Sequence, residues 1–155
     1  MKKFQVPSRE TSSRVLLDDG RVLECGIFTA AAGPHGHPQS VLERLNDGDE
    51  EFIPVTSGDD RFLLNKSGIM TIDVLDVHKE IELDGLDWDA GREVPVRLSL
   101  TGGVSLLGRF HIVMPPERSR VVDFLNSAPR FVLLRGEERV TLVQRNYIVS
   151  VRSEQ

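Results

Sequence analysis

His35-Gly36-His37 places two imidazoles one residue apart, the only such pair in the chain. On a loop, that spacing lets both rings reach one ion. A tetrahedral centre needs two further ligands, and only His78, His111 and scattered carboxylates remain to supply them. No metal site is expected. Cys25 is the single cysteine, so no internal disulfide forms. It lies between Leu23 and Ile27 with no base or acid arranged beside it, which suits a packed thiol rather than a nucleophile. Lys66 and Arg145 sit in turns at matching places, where a cation can meet a phosphate or an acidic partner. Arg109, Arg118, Arg120, Arg130, Arg135, Arg139 and Arg145 crowd the C-terminal part and raise nucleic-acid binding as a possibility. Aromatic side chains to stack on bases are few, which weighs against it. Gly102-Gly103 introduces no helix, so it is not a phosphate-binding loop. The paired acids Asp18-Asp19 and Asp59-Asp60 fall in turns, where Asp is common for backbone reasons. No catalytic constellation stands out, and the residues imply neither an enzyme nor a cofactor.

The elements that position these residues come in two sets. The run from Leu17 to Phe28 aligns with the run from Leu98 to Phe110, setting Gly20 on Gly102, Val22 on Val104, Gly26 on Gly108, Phe28 on Phe110 and Cys25 on Leu107. Ser40–Asn46 then answers Arg120–Asn126, Phe52–Val55 answers Phe131–Leu134, and Leu64–Ile69 answers Val143–Ile148. Each set reads as β-β-α-β-β-β. Strands are expected at 14–18, 21–29, 51–56, 60–65 and 68–74, and again around 104–112, 130–135, 138–144 and 147–152. Alternation of apolar residues carries these assignments, and Asp18-Asp19-Gly20 and Lys66-Ser67-Gly68 mark turns. Short helices are expected at 39–45 and 118–125, each with an apolar stripe such as Val41, Leu42 and Leu45. Ser119 is a candidate cap for the second. Asn46 and Asn126 stand where a left-handed residue ends a helix. The fold class is therefore mainly β with short helices, in two tandem copies of a small barrel-like unit.

The expected boundaries are a flexible arm over 1–13, repeat one over 14–78, an acidic connector over 79–95 carrying Trp88, and repeat two over 96–152. Units of roughly 60 residues are near the lower limit for independent folding, so the copies are expected to pack together. Repeat one has five basic side chains against twelve acidic ones, whereas repeat two has nine arginines against four acids. Such opposed halves can pair within one chain or head to tail between chains. Leu23, Cys25 and Ile27 make a second apolar side on one strand, expected to be covered by the other repeat, a helix or a partner. No apolar run has membrane-spanning length, and Met1-Lys2-Lys3 leads into no apolar stretch. A cytoplasmic protein that does not enter a membrane is expected.

Asn65-Lys66-Ser67-Gly68-Ile69-Met70-Thr71-Ile72 and Gln144-Arg145-Asn146-Tyr147-Ile148-Val149-Ser150-Val151 resemble the segment of Sm-like proteins in which a tight basic turn joins the last two strands. In outline each copy resembles Sm-like and SH3-like small barrels, with the helix moved from before the first strand to between the second and third. The chain is also similar to tandem-repeat bacterial proteins of unknown function. The resemblance implies ring formation or RNA binding by analogy alone. The leading expectation is a non-catalytic interaction or assembly module that binds a protein partner or itself. Nucleic-acid binding through the basic repeat, and a small-ligand sensor or enzyme with a site between repeats, are the alternatives. Leu23, Cys25, Ile27, Lys66, Arg109 and Arg145 are the expected interaction residues.

Overall fold

The computed structural model describes residues 8–32, 38–75, 90–115, 117 and 120–153. His35, His37, His78, Trp88, Arg118 and Ser119 lie outside the described residues. Ten strands form one antiparallel sheet: β1 (Ser8–Leu17), β2 (Val22–Ala30), β3 (Phe52–Ser57), β4 (Asp60–Asn65), β5 (Ile69–Val74), β6 (Arg92–Leu100), β7 (Ser105–Ile112), β8 (Phe131–Arg135), β9 (Val140–Gln144) and β10 (Ile148–Ser153). Among the described residues two short α-helices interrupt them, α1 (Val41–Leu45) after β2 and α2 (Val121–Ser127) after β7. The sheet runs β10-β6-β7-β8-β9-β5-β1-β2-β3-β4 and is not closed.

Both sets of five strands follow one order: the fifth strand of each set lies beside the first, followed by the second, third and fourth. The pairings recur in detail. Val15 faces Leu23 and Ile72, while Leu98 faces Leu106 and Val151. Leu17 faces Ile69 after a register shift that leaves Met70 over, and Leu100 faces Ile148 after a shift that leaves Val149 over. Such an extra residue bends a strand and raises its twist.

This register corrects the sequence alignment by one residue. The hairpins place Leu17 with Leu100, Gly20 with Gly103 and Cys25 with Gly108. Gly20 and Gly103 both have φ in the left-handed region, at 90° and 82°. Adjacent Gly102 and Gly103 offer two alignments, and a one-residue slip moves every side chain to the other face of a strand. Ile27, not Phe28, is the counterpart of Phe110, and both are fully buried.

The two outer segments also differ from expectation. Residues 8–13 are part of β1 and pair with β2 from Ser8–Ala30 onward. Their polar composition gives no apolar alternation, and backbone pairing sets the strand instead. Similarly, 92–95 begin β6, with Arg92 opposite Ile112. Pro95 lies past Ser153–Val96, the last β10 pair, where among the described residues that side has no neighbouring strand, a setting that tolerates proline.

Helix α1 starts at a capping box in which Ser40 Oγ accepts from Glu43 N at 3.0 Å. Its apolar stripe buries Val41 and Leu45 in a core with Val15, Ile27, Ile53 and Ile72. That core also takes Phe131, Leu133, Val140 and Leu142 from the second set. The other core holds Val96, Leu98, Phe110 and Ile112 together with Met70 from the first. The two halves therefore share apolar surface. No helix among the described residues is long and apolar enough to cross a membrane.

Candidate functional site

The most specific chemistry lies where the halves meet. Strands β5 and β9 pair over Thr71–Val143, Ile72–Leu142, Asp73–Thr141 and Val74–Val140. All five residues of β9 are buried, and so are five of the six in β5. Apolar residues at consecutive positions, as in Ile69-Met70 and Leu142-Val143, suit strands covered on both faces.

Polar groups fix the register of this junction. Asn46 follows α1, and its side-chain amide acts as a peptide group: Phe131 N donates to Asn46 Oδ1 at 2.8 Å and Asn46 Nδ2 donates to Phe131 O at 3.1 Å. Gln144 is buried, and its Nε2 donates to Ile69 O at 2.6 Å and Lys66 O at 2.9 Å. Arg130 donates to Gln144 Oε1 at 2.9 Å and reaches both oxygens of Glu51 at 2.9 and 3.1 Å. Hydrogen bonds from Arg130 and Ser67 hold the Glu51 carboxyl down to about 2. Tyr147 donates its hydroxyl toward Asp18 and the Ser67 carbonyl, and burial raises its pKa. At the far end, Thr141 Oγ1 donates to Asp73 Oδ1 at 2.7 Å and Arg139 approaches Asp73 at 3.6 Å.

The sheet ends in two edges, β4 and β10, with no further strand paired to either among the described residues. In the recurring pattern β4 corresponds to β9, and β10 to β5. The burial is reversed at matched positions. Phe131 is 0% exposed and Phe52 54%; Leu142 is 0% and Leu63 64%; Met70 is 3% and Val149 69%. An open groove of about 500 Å³ runs along β10 and the end of α2, lined by Leu125, Asn126, Arg145, Ile148 and Val151 among others.

The expected interaction residues fall elsewhere. Leu23 packs against the first core, and Cys25 and Ile27 lie within it under α1. Their side is covered by α1, the helix being one of the three covers expected, and the register places Val22 and Glu24 outside. Burial pushes the Cys25 thiol up to about 11, as suits a packed thiol. Lys66 is fully buried, donating to Arg44 O at 3.2 Å and Asp47 O at 2.9 Å. Burial lowers its pKa, opposed by Glu50 and Asp47. Arg145 makes the corresponding contacts with Leu125 O at 3.1 Å and with Ala128 O. Both cations thus bind the terminal carbonyls of the preceding helix, where positive charge is favoured. Arg109 and Arg135 share Glu93 at 3.4 and 3.5 Å, and Arg120 binds Asp123 at 2.9 Å.

Asn46 is not left-handed, with φ at −89°, and Asn126 lies inside α2 rather than beyond it. Sequence reasoning placed both at helix ends but missed what the Asn46 amide does. It also missed Gln144, Phe52, Leu63 and Val149; the available signal was the apolar pair Leu63-Leu64, which fills both faces of a short strand. No group of three His, Cys, Asp or Glu among the described residues could hold a metal ion. A cavity of about 200 Å³ beside His111, Phe124 and Phe131 is smaller than ordinary ligand pockets. No family model matches the chain, and neither curated proteins nor solved structures give a significant match.

Proposed function

We propose that this chain is a non-catalytic protein-interaction and assembly module built from a duplicated small-barrel unit, similar in outline to Sm-like and SH3-like barrels. The recurring strand order, the matching register shifts at Met70 and Val149, and the matched helix-end cations Lys66 and Arg145 support the duplication. The observation that carries the function is the pair of sheet edges, unpaired among the described residues and bearing exposed Phe52, Leu63 and Val149, whose counterparts are buried at the junction. Exposed edges with apolar side chains are templates for adding a strand. Arg109, Arg120, Arg130, Arg135 and Arg139 face acids of this chain, which weighs against the nucleic-acid alternative.

The test is native mass spectrometry over a range of concentrations, combined with affinity capture. Defined complexes lost on charging Leu63 or Val149 are the expected result. A strictly monomeric protein that captures no partner through these edges contradicts the reading.

A further inference from the structure

The geometry points to a specific occupant for each open edge: β4 of one molecule adds to β10 of the next, repeating between chains the β9–β5 junction that exists within each chain. This rests on the interaction-module reading and names its partner as a second copy of the chain.

The internal junction supplies the register. Thr71 faces Val143, Ile72 faces Leu142, Asp73 faces Thr141 and Val74 faces Val140. Carried to the matched residues, Ser150 faces Leu64 of the next molecule, Val151 faces Leu63, Arg152 faces Phe62 and Ser153 faces Arg61. Complementarity then appears that the internal junction does not require. Asp73 meets Arg139 within the chain; their counterparts are Arg152 and Asp60, the same ion pair with its signs exchanged. Phe131 lies in the same core as Leu45; its counterpart Phe52 enters the groove lined by Leu125. The Asn46 amide holds both backbone groups of Phe131. Asn126 lines the same groove, exposed, and in this register its amide meets the backbone of Phe52.

The contact is heterologous, since one edge meets a different edge. Two copies leave two edges open, so association continues to a closed ring or a filament.

Two variants separate this arrangement from every symmetric one. Leu63→Glu charges only β4 and Val149→Glu only β10. Both side chains are more than half exposed, so far-UV circular dichroism and melting of each variant should match the parent. In native mass spectrometry at tens of micromolar, the parent should populate species beyond a dimer. Each variant alone should be monomeric. Their equimolar mixture should form a one-to-one dimer and nothing larger, because β10 of the first receives β4 of the second and the remaining edges are charged. Asn126→Ala should weaken association about tenfold or more, through loss of two backbone hydrogen bonds.

A dimer persisting in either variant alone overturns the inference, as does a monomeric mixture from a parent that assembles. A monomeric parent also overturns it. The broader reading then stands only if another protein is captured through Leu63 or Val149, and falls if none is.

Discussion

Asn46, just past α1, and Asn126, in the last turn of α2, are the same residue type near the ends of matched helices, with opposite surroundings. Removing the Asn46 amide strands the N–H and C=O of Phe131, and groups left without partners cost more than the bond itself gained. Asn46→Ala should therefore destabilise the fold by about 1–3 kcal/mol in urea titration. Asn126→Ala should leave the unassociated chain within about 0.5 kcal/mol of the parent. Equal losses would contradict the assignment of distinct roles. Glu51 makes a second prediction at this scale. Its carboxyl is held down to about 2 by Arg130 and Ser67, below the ordinary value of about 4.3. A depressed carboxyl contributes stability that is complete above its unfolded pKa and lost as pH falls through the folded one. Melting temperature should fall between about pH 4.3 and pH 2, and Glu51→Gln should flatten part of that slope. An unchanged slope would show that the Arg130 contact does not bind the halves. Both roles were partly legible, since Asn46 and Asn126 stood at matched positions. Their use was not legible, because it depends on a backbone brought in from 85 residues away.

Two mid-strand glycines separate the elements in a testable way. A Cβ on Gly108 would lie 2.6 Å from Leu134 Cγ and 3.0 Å from Arg135 O, packed material that has little room to give. The three atoms nearest a Cβ on Gly26 all belong to the side chain of Glu10, which can swing aside at the cost of its bond to Thr56. Gly108→Ala should cost about 1–3 kcal/mol by overpacking, and Gly26→Ala less than about 1 kcal/mol, both read from denaturant midpoints. Comparable costs would argue against the register that matches Gly108 with Cys25 rather than with Gly26. Strand positions were legible because alternation and turn chemistry are local: the expected 60–65 coincides with β4, and 51–56 and 68–74 fall within a residue of β3 and β5. The alignment between the two sets was not, because matching glycines by identity ignores which face each neighbour occupies. Residues 8–13 escaped for a related reason: a polar strand held by backbone pairing carries no hydrophobic period.

At the scale of the molecule, the internal junction joins the two sets of five strands into one sheet. Each core borrows side chains across β5, β8 and β9. The opposed charge of the halves, visible in composition, finds its use in Arg130–Glu51 and Arg139–Asp73. What composition does not display is that pairing β5 with β9 buries those two strands and leaves β4 and β10 without a further strand among the described residues. The central claim is that these remaining edges, β4 and β10, meet between molecules as β9 and β5 meet within one. Amide hydrogen exchange across a dilution series tests it most directly. In concentrated protein, amides of 60–65 and 148–153 should gain protection together, approaching that of 69–74 and 140–144, and should lose it together on dilution. Fast exchange in both segments at every concentration, or protection gained by one without the other, would contradict it.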